Sequence, residues 1–263
     1  MRRTVDDRCS DGSRSRHTDD ARCYVLTGDR DDGAPSQSRP SGRGRPPGPS
    51  AGASLDSVEK VLTGPPALGR RSPYGGGMEL RVWAEDHAGQ LLSSLRRRWS
   101  HARAVGTAAR EVGRHLKARD AEVLLAAAYL HDIGYAPDLV ETGFHQLDGA
   151  RHLSTLGHGR LAGLVAHHTR AVHEARLRGL GQALSEFDDE DSIVSAALAY
   201  CDLTAGPQGE EMTPEQRPAD VGARYGEDDP VTIGLRTAWP ELIEDVAEVN
   251  ALLEQRRVVA QPK

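Results

Sequence analysis

The stretch AAAYLHDIGYAP, from Ala126 to Pro137, sets His131 beside Asp132 at the end of a run rich in alanine and leucine. An imidazole and a carboxylate are both costly to bury unless something pairs with them. A divalent metal ion pairs with both, because it neutralises the carboxylate and accepts the imidazole lone pair. Neighbouring helix positions point about 100° apart, so both side chains reach one ion only if it sits beside or beyond the last turn. Gly134 and Pro137 break the helical pattern there and make room.

Histidine is concentrated around that pair. Six of the eleven histidines fall between His145 and His173, and His101 and His115 lie upstream on expected helices. By position, His101 opens one expected helix, His131 and Asp132 close the next, and His145 opens another. His167 and His168 come near the end of one more, and Asp202 closes a later one. Helix ends let side chains from separate helices converge without filling a core. The mixed nitrogen and oxygen donors suit iron, manganese, zinc or cobalt and are too rich in nitrogen for a calcium or magnesium cage.

His87, His115, His152, His158 and His173 are expected on the surface or behind the ligands. Asp148, Arg151 and Thr204 lie within about a turn of candidate ligands and are candidates for orienting imidazoles or binding a phosphate oxygen. An ordinary exposed polar face accounts for them equally well. Arg96, Arg97 and Arg98 are placed to attract a phosphate near His101, although a charge run is more often a solvated face.

The elements that must position these groups read as all-α. After Met78, apolar residues recur at spacings of three and four, and the alternation expected of strands is missing. The spacing predicts a first helix ending near Arg98, with RRRW as its last turn, and a second from His101 to Leu116 with Ser100 as its N-cap. A third, Asp120 to His131, is apolar on most faces and should be the central buried helix. Short helices follow at His145 to Leu156 and Gly159 to Thr169, then one from Asp191 to Leu203. Thr213-Pro214-Glu215-Gln216 carries a capping-box pattern and opens a helix to about Tyr225, and a last stretch, Val231 to Arg257, should be interrupted or kinked at Pro240.

The 263 residues divide near residue 78. Residues 1–77 are rich in Arg, Asp, Ser, Gly and Pro, have no core-forming run, and are expected to be a disordered, low-complexity tail. Gly75 to Gly77 precede Met78, whose glycine codons resemble a ribosome-binding site, so Met78 is a candidate start. The tail holds 13 basic and 10 acidic residues, which leaves 20 basic against 29 acidic in the remainder. That acidic balance argues against duplex nucleic acid as a partner, while a small anion bound through metal fits it. No apolar stretch approaches the roughly 18 to 20 residues that span a bilayer, so no membrane association and a cytoplasmic location are expected. Cys9, Cys23 and Cys201 form no disulfide or zinc pattern.

The order His101, His131-Asp132, Asp202, with the context AAYLHDIG, resembles the HD-domain superfamily of metal-dependent phosphohydrolases, in the manner of a compact, single-domain bacterial member. The segments FHQLDGARHL and VAHHT resemble the added histidine motifs of members that bind two metals. The resemblance covers about Ser100 to Gly206 and implies an HD-domain helical bundle. It also implies a first metal on His101, His131, Asp132 and Asp202, and a second bridged by Asp132 and held by His145 with His167 or His168. Asp132 and His131 are the implied catalytic pair, with Arg151 and Thr204 as substrate-binding candidates. The activity implied is hydrolysis of a phosphoester or phosphoanhydride in a small, nucleotide-like substrate, using one or two ions of Fe, Mn, Zn or Co. A di-iron oxygenase and a non-catalytic regulatory module are the alternatives. The glycine-tyrosine-proline motif of the cyclic-dinucleotide branch is absent from the loop before His145.

Overall fold

The computed structural model describes residues 79–259. The expected disordered tail and the candidate start at Met78 lie outside them. Ten α-helices follow in order: α1 (Leu80–Leu92), α2 (Arg96–Gly113), α3 (Ala118–Leu130), α4 (His145–Thr155), α5 (Gly159–His167), α6 (Val172–Leu177), α7 (Gly181–Leu184), α8 (Ile193–Leu203), α9 (Arg217–Tyr225) and α10 (Pro230–Val259). Among the described residues there is no strand, only an isolated bridge between Ala205 and Glu211. The fold is all-α.

The center of the core is α3, buried without a break from Val123 to Leu130. It packs against α1, α2, α5 and α8. Continuous burial explains why the alanine-rich stretch shows no polar face: every side of it meets another helix. The Ser192 hydroxyl accepts from the backbone N–H groups of Val194 and Ser195, and so fixes where α8 begins.

Three boundaries differ from the sequence expectation. The first helix stops at Leu92, where the Ser93 hydroxyl bonds back to the Gln90 carbonyl, and RRRW therefore opens α2 instead of closing α1. His101 consequently sits inside α2, not at its start, with Arg98 one turn before it on the same side. At Thr213 the Gln216 side chain accepts from the Thr213 N–H as expected, but the turn is 3-10 over Pro214–Gln216 before α9 begins. Finally, α10 runs unbroken across Pro240, so the expected interruption does not occur. Ala238 and Leu242, on either side of the proline, are fully buried with Ala199 and Leu203 of α8, and this packing holds the segment helical where a backbone donor is missing.

Candidate metal centre

The helix ends carry the chemistry. α3 closes at Leu130 with His131 still in helical geometry, while Asp132 has left it (φ −101°, ψ 5°) to enter a 3-10 turn at Ile133–Tyr135. That change of backbone lets two neighbouring side chains face one centre. The turn crosses α4 so closely that a β-carbon on Gly134 would collide with the carbonyl oxygen of His145. Glycine is required there by contact, and the contact sets the HD pair against the first residue of α4.

Two triangles of ligand atoms result, and they share a corner. His101, His131 and Asp132 each offer an atom within 4.8 Å of the other two, as do Asp132, His145 and His168. His101 Nε2 lies 2.9 Å from Asp202 Oδ1, and His131 Nε2 lies 3.6 Å from Asp132 Oδ1 and 3.9 Å from Asp202 Oδ1. His145 Nε2 is 3.3 Å from Asp132 Oδ1. The rings of His101, His131, His168 and His145 follow one another edge to face at 5.2 to 5.4 Å.

Whether these residues fit a metal is decided by the far side of each ring. Nδ1–H donates to a backbone carbonyl in three of them: His101 to Gly206 (3.1 Å), His131 to Ala128 (2.8 Å) and His168 to Val165 (2.7 Å). Each bond selects the tautomer that leaves the Nε2 lone pair facing the carboxylates, which is how ligating histidines are held. His131 Nε2 is fully buried without a hydrogen-bond partner, a cost that a bound cation removes. The donor set fits a divalent transition metal.

The charges agree with that reading. Burial alone would raise the Asp132 pKa, but His131, Arg98, His145 and His101 outweigh it and hold the carboxyl below its usual range. Asp202 shows the same balance: burial alone would raise it, but the neighbouring His101 ring and Arg217 prevail and hold it below its usual range. Burial pushes His131 and His145 below the ordinary imidazole value, against the pull of the nearby aspartates, so both are neutral and ready to ligate at pH 7.

Of the two histidines left open by the sequence, His168 joins the centre and His167 does not. α5 ends at His167, and the extended backbone of His168 (φ −56°, ψ 145°) turns its ring inward. His167 instead donates through Nε2 to the Phe187 carbonyl (2.9 Å), with Nδ1 3.6 Å from Asp189. Its Nε2 is engaged by the segment before α8, and its ring stands outside the two groups of ligand atoms. The chain then passes through Thr169 and Arg170 at φ 51° and 55°, left-handed values that cost non-glycine residues roughly 1–3 kcal/mol each. The Arg170 guanidinium binds both carboxylate oxygens of buried Asp245 on α10 and holds that joint.

The structure places Arg151 and Thr204 outside the cleft. Arg151 pairs with Glu141 at 3.1 Å, and the Thr204 hydroxyl donates to the Tyr200 and Cys201 carbonyls, so neither side chain lines the cleft over the centre. Asp148 orients no imidazole: its carboxylate gathers the N–H groups of Glu141, Thr142 and Gly143 and ties down the loop before α4.

The cleft, about 100 Å³, takes part of its wall from Arg98, and part from Gln146, Arg217 and Tyr225, which carry no local signal in the sequence. Arg98 donates to Asp132 Oδ2 (3.1 Å) and to the Tyr225 hydroxyl (2.8 Å), and its guanidinium lies 3.6 Å over the Tyr135 ring, which stacks on His145. Buried Arg217 on α9 donates to the Asp202 backbone carbonyl, to its Oδ1 (3.2 Å) and to the Ala205 carbonyl (2.7 Å), holding that carboxylate from behind. Gln146 lines the cleft with a buried Oε1 that has no hydrogen-bond partner.

Helices that bring four histidines and two aspartates into one buried centre define a metal-binding domain of the histidine-aspartate class. Residues 98–221 match the family model of the HD domain, a family whose members are mostly metal-dependent hydrolases, and all six residues of the centre lie within that stretch. No curated protein and no solved structure matches the chain. Among the described residues no helix is long and apolar enough to cross a membrane.

Proposed function

We propose that the protein is a metal-dependent phosphohydrolase that acts on a phosphoester or phosphoanhydride of a small metabolite, with two metal positions sharing Asp132. The observation that carries this is the set of three Nδ1–H bonds to backbone carbonyls, which present the Nε2 atoms of His101, His131 and His168 to Asp132 and Asp202. His101, His131, Asp132 and Asp202 would hold one ion, and Asp132, His145 and His168 the other. A bound divalent ion supplies Lewis-acid polarisation of a phosphoryl oxygen and activation of water.

The chain's own residues supply the rest. Arg98, against Asp132 and on the cleft wall, offers a planar cation to phosphate oxygens. Gln146 Oε1 offers an acceptor to a hydroxyl or amino group of the substrate. The cleft is smaller than the roughly 300–1,000 Å³ usual for drug-sized ligands, which favours a compact phosphorylated molecule over one held whole around a nucleotide base. Metal content and hydrolysis of generic phosphomonoester and phosphodiester substrates should be measured for the wild type, His131→Ala and His145→Ala. Close to two ions per chain, with fewer in both variants and hydrolysis falling with them, supports the reading. Bound iron with oxygen consumption and no hydrolysis overturns it in favour of the oxygenase, and unchanged metal content in both variants overturns the ligand assignment.

A further inference from the structure

Three histidines outside the centre, expected on the surface or behind the ligands, meet on the opposite end of α4. His87 on α1 and His152 on α4 stack with ring centroids 5.1 Å apart and planes within 5°, which brings their Nε2 atoms to 2.8 Å. Trp83, one turn before His87, stacks on His87 at 5.1 Å and meets His158 at 4.4 Å. His158 sits at the N-cap position of α5, where its side chain makes no capping hydrogen bond. All three histidines are half-buried and open to solvent ions.

Facing Nε2 atoms at this distance share one proton, so one nitrogen donates while the other presents its lone pair. Burial lowers the pKa of each of the three, and His87 is lowered further by His152 and His158, which keeps the rings neutral at pH 7. A neutral, paired imidazole edge is a metal-binding edge.

We propose that His87 and His152 form the nitrogen pair of a further transition-metal site, distinct from the HD centre, which takes a late first-row divalent ion and pins α1 to α4. Metal–nitrogen bonds of about 2.0–2.1 Å at a tetrahedral angle place two nitrogens roughly 3.3 Å apart, so the ion takes the place of the shared proton, which passes to Nδ1 of the donor ring by tautomerisation, after the rings part by about half an ångström. Two half-buried side chains accommodate that movement by rotation. Imidazole donors select copper, nickel and zinc over magnesium and calcium, with copper bound most tightly. Water completes the coordination.

The test is a Cu²⁺ titration of the full chain, read by bound metal after gel filtration and by tryptophan emission, which bound copper quenches. Wild type, His87→Ala, His152→Gln and Trp83→Phe are compared, with circular dichroism to confirm folding. The wild type should retain one more ion per chain than either histidine variant. Trp83→Phe should retain that ion and lose the matching step of quenching, a readout that does not depend on the histidine variants. Equal ion counts in the wild type and both histidine variants, or an unchanged quenching step in Trp83→Phe, overturn the proposal.

Discussion

α4 carries one group of histidines at each end, and they differ in company. His145, its first residue, enters a cluster with Asp132, whose carboxylate also faces His131 and His101. His152, two turns later, meets His87 and through it the Trp83 ring. Burial lowers the imidazole pKa of His145 at one end and of His152 at the other, but only the first group holds carboxylates that offset the cost of bringing a doubly charged ion out of water. Histidine density alone therefore does not separate the two groups, and the neighbouring aspartates mark the one for which phosphate chemistry is proposed.

The largest expected effect comes from the shared corner. Asp132→Asn removes a ligand from both triangles and should lower hydrolysis on the order of 1,000-fold, with metal lost from both positions by elemental analysis. Retention of two ions with near-normal rates would break the comparison by making Asp132 no more than a neighbour.

Arg217→Ala comes next. The variant frees Asp202 to turn, and second-layer partners of this kind are worth about 10- to 100-fold in metal affinity or activity. Competition with a chelating dye measures the loss directly, and a change under threefold would show that the Asp202 carboxylate is held by other means.

Acid should act on the metal-free chain through both groups in one direction. The folded pKa values of His131 and His145 lie below the unfolded value of about 6.5, so between those values the unfolded chain binds more protons. Stability is present above about pH 6.5 and is lost as pH falls below it. Asp132 and Asp202, held below the usual carboxylate range, extend the loss below about pH 4. Melting temperature should fall steadily between pH 7 and pH 5, and His152→Gln should flatten that slope slightly. A flat profile would contradict the burial of neutral imidazoles.

The smallest effect sharpens the contrast. His152→Gln lies two turns from the nearest ligand on α4 and should leave hydrolysis within about twofold of wild type. A larger fall would tie the two ends of the helix together.

The sequence spoke clearly where chemistry coincided with a local break. The buried run ending in His131-Asp132, the helix opening at His145 and the helix closing near Asp202 were all visible, because periodicity and Gly or Pro stops are local signals. His167 and His168 could not be separated, because the choice rests on one extended residue after α5 and two left-handed ones beyond it. Arg151 and Thr204 lie within a turn of candidate ligands, but that spacing says nothing about competing partners such as Glu141 or the Tyr200 carbonyl. In the sequence Arg98 is one of three arginines that a phosphate role and a solvated charge run explain alike, and the break at Ser93 is what sets it beside His101. Arg217 and Tyr225 reach the site from α9, 15 residues beyond Asp202 and 127 beyond Arg98, where no short-range pattern reports them.

Gly134 touches no proposed substrate and offers no ligand, yet its α-hydrogen lies where only a hydrogen fits against the His145 backbone. In a library of all single substitutions, position 134 should be emptied as thoroughly as the ligand positions themselves. Genetic intolerance around the HD pair thus records two separate demands, one for atoms that bind and one for the absence of atoms that would push α4 away, and purified variants tell them apart: Gly134→Ala should fail in folding yield, and Asp132→Asn in metal content.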